Sequence, residues 1–208
     1  MAQPLKIGLT GNIGSGKSTV ARQLVKRGAA LIDSDALAKA ATRDPDVLRQ
    51  IADELGNEFV KDGQLDRAKT AQRVFADEQA RATLNAIVHP WVRRQSAREV
   101  ARLTTLPEPP NVILMDIPLL FENGLESTLD AVIVVNAPLE VRVQRVMTRS
   151  GLSAAEVRSR NEAQFPLKDK VAKADYVVDN GSSLEHLEAE IERVWRAIQK
   201  KGNAHASV

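Results

Sequence analysis

The chain has 208 residues, the length of one globular domain with room for an insert, and a core of that size sustains itself without staples. It contains no cysteine, which excludes disulfide frameworks, thiolate metal sites and thiol nucleophiles and makes a reduced cytoplasm the expected compartment. Lys and Arg number 29 against 27 Asp and Glu, a net +2, the aromatic residues (3%) are scattered, and no apolar run is long enough to span a membrane, so neither nucleic acid nor a membrane is the expected partner.

Five apolar segments alternate with helix-like stretches: Leu5–Leu9, Ala29–Ile32, Val112–Met115, Ala131–Val135 and Tyr176–Val178. That alternation predicts an α/β fold, a five-stranded parallel sheet flanked by helices. After the first strand a helix should run to Lys26 or Arg27, with Val20, Leu24 and Val25 buried and Gly28 as its stop. From Arg43 to Leu103 the pattern is helical, without a convincing strand. Asp44-Pro45 starts one helix, Asp62-Gly63 marks a turn, Asp66 caps the helix ahead of Ala68–Phe75, and Pro90 should bend or restart a long helix.

Residues 43–103 are therefore expected to be a helical insert, with 1–42 and 104–208 forming the core. Between the fourth and fifth strands, Pro138–Ala174 carries Arg142, Arg145, Arg149, Arg158 and Arg160, and its position suggests a lid over about 147–172. A last helix over Leu184–Gln199 places Leu184, Leu187, Ile191, Val194, Trp195 and Ile198 toward the core. The tail from Lys200 to Val208 is expected to fray.

Gly11-Asn12-Ile13-Gly14-Ser15-Gly16-Lys17-Ser18 matches the phosphate-binding pattern G-x-x-x-x-G-K-[ST], and it lies between an apolar strand and a helix as the chemistry requires. Glycines let several backbone N–H groups converge on one phosphate, and the helix N-terminus adds partial positive charge. Lys17 would neutralise the β- and γ-phosphates while the Ser18 hydroxyl helps to hold Mg²⁺. The fold class is thus of the P-loop NTPase type.

No Asn-Lys-x-Asp motif for guanine is present, and Asp116 continues into Ile-Pro-Leu rather than into a switch loop, which disfavours a GTPase. The third strand ends in Asp116 alone, where a motor would show adjacent acidic residues. Asp116 either contacts Mg²⁺, directly or through water, or shapes the turn ahead of Pro118. Asp33 and Asp35 follow the second strand, at the edge where open parallel sheets bind ligands. An alcohol that accepts a phosphoryl group needs a carboxylate to take its proton, a role that Asp35 fits; the alternative is that one of the pair caps the next helix. Arg94, Arg98 and Arg102 offer either diphosphate attraction or a solvated helix face.

Taken together, Leu9-Thr10-Gly11 with Ile13–Thr19, Asp33-Ser34-Asp35, Leu84-Asn85 with Val88-His89-Pro90, Pro118–Glu122, Ala163-Gln164, and Ala174-Asp175 with Asp179-Asn180 resemble the dephospho-coenzyme A kinase family from Leu9 to about Leu187. The resemblance implies ATP-dependent phosphorylation of the ribose 3′-hydroxyl of dephospho-coenzyme A, the last step of coenzyme A biosynthesis. It makes Asp35, Lys17 and Arg145 the catalytic residues, with Arg145 facing the transferring phosphate. It assigns ATP to Gly11, Asn12, Ile13, Gly14, Ser15, Gly16, Lys17, Ser18, Thr19, Arg145 and Asn180, and the acceptor to Thr10, Asp35, His89, Pro118 and Leu119, with the helical insert over the acceptor.

The expected ligands are ATP, Mg²⁺ at Ser18 and Asp116, and dephospho-coenzyme A, and the expected unit is a monomer. Rival readings are another small-molecule kinase and a nucleotide-dependent switch. Two positions depart from the family pattern. Asn12 stands where glycine is usual and would tolerate a positive φ, and Gly181 follows Asn180 one place early.

Overall fold

The structure, a computed structural model, describes residues 3–206. The chain opens with β1 (Leu5–Thr10), α1 (Lys17–Lys26), β2 (Ala30–Asp33), α2 (Ser34–Ala41) and α3 (Pro45–Leu55). A hairpin of β3 (Val60–Lys61) and β4 (Gln64–Leu65) precedes α4 (Arg67–Ala76) and the long α5 (Glu78–Thr104). The remainder is β5 (Val112–Asp116), β6 (Ala131–Asn136), α6 (Leu139–Ser150), α7 (Ala154–Glu162), α8 (Leu167–Lys173), β7 (Tyr176–Asp179) and α9 (Leu184–Ala206).

The five expected strands form one sheet in the order β2-β5-β1-β6-β7. Strand β1 is parallel to β5 with Leu5 beside Val112 and Leu9 beside Asp116, and parallel to β6 with Ile7 beside Ala131 and Thr10 beside Val134. All of β5 and the first five residues of β6 are buried, as expected for central strands covered on both faces, whose sequences read as unbroken apolar runs. Leu5, Ile7, Leu9, Val112, Leu114, Ile133 and Val135 share a core with Val20 and Leu24 of α1 and Leu187, Ile191, Val194 and Ile198 of α9. Each such side chain, taken wholly out of water, contributes on the order of 1.5–3 kcal/mol.

Two face assignments differ from expectation. Val25 is 40% exposed and Ala21 is buried in its place, because five residues carry Val25 roughly 140° around the helix from Val20, whereas Leu24 returns to the same side. Leu184 is 72% exposed, so the buried stripe of α9 begins at Leu187. The helix does not fray at Lys200 but continues to Ala206; the Lys201 ammonium donates to the Asp130 carbonyl at 2.6 Å. Val208 lies outside the described residues.

The chain divides into two compact units, one made of the chain up to Ile32 and from Leu103 onward, the other Asp33–Arg102. The second begins at Asp33, earlier than the expected residue 43, because Ala38 and Ala41 of α2 pack with Val47, Ile51, Phe59, Ile87 and Val88. Asp44 caps α3 and also accepts from Trp91 Nε1 at 2.9 Å, tying α3 to α5. Asp66 caps α4 as expected.

A two-stranded hairpin replaces the strandless pattern anticipated here. Asp62 and Gly63 adopt φ of 51° and 70°, the geometry of a two-residue hairpin turn, and strands of two residues are too short to show alternation. Helix α5 runs through Pro90 unbroken; the proline removes the N–H that would bond the Ala86 carbonyl without ending the helix.

Helix α1 ends as its sequence predicts. Gly28 N–H bonds the Val25 carbonyl at 3.0 Å and Ala29 N–H the Leu24 carbonyl at 3.2 Å, with Gly28 at φ 105°, a left-handed stop. Beyond Gly28 and its two chain neighbours, no atom lies within 4 Å of where a side chain would begin. Gly28→Ala should therefore cost about 1–2 kcal/mol through backbone strain alone, read from the midpoint of urea unfolding; an unchanged midpoint would contradict the strain.

Candidate active site

The loop between β1 and α1 folds back on itself, with Ser15 N–H on the Asn12 carbonyl at 3.0 Å and Thr19 N–H on the Gly16 carbonyl at 2.9 Å. Gly16, at φ 88°, occupies the N-cap of α1, with no side-chain cap and no acidic residue in the first turn. The free N–H groups of that turn are thus left for an anion. A side chain at Gly16 would collide with the Asn180 amide nitrogen, so the loop admits only glycine there.

Parallel register gathers the other groups at the same edge. Asp116 ends β5 beside Leu9, and Ile117 N–H bonds the Leu9 carbonyl at 3.0 Å. The Lys17 ammonium pairs with the Asp116 carboxylate, and both side chains are mostly shielded from solvent. Thr10 is fully buried and its hydroxyl donates to the Pro118 carbonyl at 3.0 Å, so Thr10 shapes the turn carrying half-buried Pro118 and exposed Leu119. Ser18 is exposed at the start of α1, beside Thr19.

Asn180 follows β7, whose Asp179 pairs with Asn136. Its Nδ2 donates to the Ser15 carbonyl at 2.8 Å, and Arg145 Nη1 donates to the Asn180 carbonyl at 2.9 Å. Arg145 is therefore held on α6, beside the loop. The arginines of α6 separate by face. Arg149 is exposed and Arg145 half-buried, while Arg142 is buried with Val143 and Val146.

Asn12 does not use the left-handed region that its type tolerates: Asp62 is the one non-glycine at positive φ among the described residues. Asn12 is buried instead, with Nδ2 donating to Asn161 Oδ1 and to the Phe165 carbonyl, both at 3.2 Å. Ile13 N–H donates to Gln164 Oε1 at 2.8 Å, and the Ile13 carbonyl accepts from Arg142 Nη1 at 3.3 Å.

Sequence reasoning gave Gln164, Asn161 and Arg142 no role. The usable signal was the spacing Leu139, Arg142, Val143, Val146, which puts Arg142 on the apolar face of its helix. Glu122 and Lys170 form a further unforeseen pair at 2.7 Å, with Lys170 wholly buried. Phe165 N–H donates to the same Glu122 oxygen at 2.9 Å.

Asp33, Asp35 and His89 belong to the other unit. The Asp33 side chain accepts Ala36 N–H at 3.0 Å and caps α2, which starts at Ser34. Asp35 lies exposed in the first turn of that helix. The capping alternative thus falls to Asp33. Although His89 lies at the surface, partial desolvation, and then the Arg93 guanidinium, hold its imidazole below the ordinary value of 6.5. Arg102 is engaged by Glu99 at 2.6 and 2.8 Å, while Arg94 and Arg98 are exposed.

Comparison with known proteins places this geometry. The family described as dephospho-CoA kinase matches residues 5–186. A dephospho-CoA kinase of Deinococcus radiodurans is 43% identical over 196 residues, covering 94% of this chain and 93% of the relative. A crystal structure from Thermus thermophilus superposes with a TM-score of 0.80 at 43% identity, covering 94% of this chain and 98% of the other. A dephospho-CoA kinase from Campylobacter jejuni does so with a TM-score of 0.70 at 27% identity and the same coverages. A match that takes in the phosphate loop, the acidic pair and the Asn180 strand at once goes beyond a shared sheet, and the chain belongs to the dephospho-CoA kinase family.

Proposed function

We propose that the protein transfers the γ-phosphoryl group of ATP to the ribose 3′-hydroxyl of dephospho-coenzyme A, the final step of coenzyme A biosynthesis. The observation that carries this reading is the uncapped N-terminus of α1 behind Gly16 and Lys17, in a chain of this family. Loop N–H groups take the phosphate oxygens. The Lys17 ammonium, paired with Asp116, exchanges that partner for the β- and γ-phosphates, and Arg145, held by Asn180, bridges oxygens of the group in transfer.

Asp35 accepts the proton of the 3′-hydroxyl as its oxygen bonds to phosphorus, and the bond from phosphorus to the bridging oxygen breaks to release ADP. The Ser18 hydroxyl and the Asp116 carboxylate are hard oxygen donors of the kind Mg²⁺ takes, and the ion would supply charge neutralisation of the phosphates. Acceptor recognition falls to Pro118 and Leu119 and to the helical region at about 43–103, where His89 stands as a neutral hydrogen-bonding group at pH 7. A cysteine-free chain suits a reducing cytoplasm, where we place the protein.

Incubating the protein with Mg²⁺-ATP and dephospho-coenzyme A should yield coenzyme A and ADP by mass spectrometry; no product from protein that binds ATP would refute the assignment. Asp35→Asn should lower kcat by about 10²–10⁴-fold, the range for loss of a general base, with ATP affinity little changed. Asp33→Asn, whose amide oxygen can still cap α2, should leave kcat within about threefold. Equal effects of the two substitutions would take the base role from Asp35.

The depressed His89 pKa means that the folded protein binds fewer protons there than the unfolded chain, so its stability falls as pH drops through 6.5. NMR titration should place the His89 midpoint below 6.5, and a midpoint at or above that value contradicts the desolvation.

A further inference from the structure

A loop that turns its N–H groups toward phosphate cannot hold itself in shape with those same groups. In this chain the first half of the loop is gripped from outside, on both sides of one residue. The Ile13 N–H is taken by Gln164 Oε1 at 2.8 Å and the Ile13 carbonyl by Arg142 Nη1 at 3.3 Å. The neighbouring Asn12 side chain is tied to Asn161 and to the Phe165 carbonyl. Asn161 Oδ1 also accepts from Arg142 Nη1 at 2.7 Å, and Arg142 Nε donates to the Ala137 carbonyl at 3.0 Å.

The grip is itself anchored at its far end. Glu122 accepts Phe165 N–H at 2.9 Å and pairs with the wholly buried Lys170 at 2.7 Å. The ammonium is buried while the carboxylate keeps some contact with solvent, so removing Glu122 would leave a buried charge without its partner. The stretch Asn161–Phe165 therefore has a fixed footing on α8 and on the turn after β5. The oxygens that accept from Arg142 are neutral ones, and burial draws its pKa below the ordinary arginine value.

We infer that Gln164 is a positioning residue for the phosphate loop: it acts on ATP through the Ile13 peptide, holding the loop in its binding shape before the nucleotide arrives. The inference rests on the reading of this loop as the ATP site. A loop ordered in advance spares the ordering cost at the moment of binding and keeps its dipoles aimed at the phosphates. Without Gln164 the Ile13 N–H turns to water, the loop samples other shapes, and ATP binding weakens while the acceptor site is untouched.

The test uses the full-length protein, with Kd for Mg²⁺-ATP from calorimetry, KM for both substrates, and Tm. Gln164→Ala should weaken ATP binding about tenfold, equivalent to about 1.4 kcal/mol, leaving KM for dephospho-coenzyme A within about twofold and Tm nearly unchanged. Gln164→Asn, one methylene too short to reach Ile13, should do the same and keeps the question open to measurement if the alanine variant does not fold. Ser153→Ala removes the capping box of α7 without touching the loop; it should lower Tm and leave the ATP Kd alone.

An unchanged ATP Kd in both Gln164 variants overturns the proposal, as does equal weakening by Ser153→Ala, which would make helix docking the cause. Lys17→Ala separates the two layers. If it abolishes ATP binding while the Gln164 variants bind normally, the phosphate-loop reading stands and the positioning role fails. If Lys17→Ala binds ATP as well as the parent, the phosphate-loop reading itself fails.

Discussion

The nucleotide-binding unit depends on one arrangement, the position of β1 between β5 and β6 with all three strands parallel. Parallel strands end on the same edge, so whatever follows each of them converges there. The phosphate loop follows β1, Asp116 ends β5, and Asn180 follows β7 one strand beyond β6. The register that sets Leu9 beside Asp116 brings residues some hundred positions apart in sequence to one loop. The Lys17–Asp116 pair is a direct product of it, and it keeps two shielded charges from standing alone.

A second constraint follows from what phosphate binding asks of a backbone. The N–H groups that serve the ligand are withdrawn from the usual task of stabilising the chain, and the glycines that permit the turn contribute no packing. Side chains from distant elements make up the difference: Asn180 on the Ser15 carbonyl, Gln164 and Arg142 on Ile13, Asn161 on Asn12. The interior of this unit is apolar at its centre, and Thr10, Asn12, Ser15, Asp116, Arg142 and Asn180, buried polar residues, collect at or beside the loop. This is the distribution expected of a site whose catalysis rests on fixed dipoles rather than on groups that reorganise.

The helical unit is built on other rules. Its core of Val47, Ile51, Phe59, Ile87 and Val88 draws mainly on α3 and α5, and the starts of α2, α3 and α4 are written locally, by Asp33, Asp44 and Asp66 as caps. Asp33 and Asp35 illustrate how one acidic pair divides its labour. A carboxylate at the N-cap satisfies a helix N–H, and its neighbour in the first turn has no such duty. The pair is read correctly only once the first residue of α2 is known, because a shift of two residues would exchange the roles.

Local chemistry was legible in the sequence. The strands appear as apolar runs, the phosphate loop as a spaced glycine pattern, the end of α1 as Gly28, and the starts of α3 and α4 as Asp44 and Asp66, since each depends on residues within a few positions of one another. The Asp62-Gly63 turn was visible, but its two-residue strands were not, for alternation needs a longer run. Asn12 could be weighed only as a conformational choice, whereas in the fold it is a buried donor to residues some 150 positions away. Arg142 and Lys170 read as ordinary polar residues of a helical stretch, and Gln164 as part of a family motif without a role of its own. Their roles exist only where α6, α7 and α8 meet the loop and the turn after β5, because a hydrogen-bond partner distant in sequence leaves no local pattern and only the tertiary structure brings donor and acceptor together.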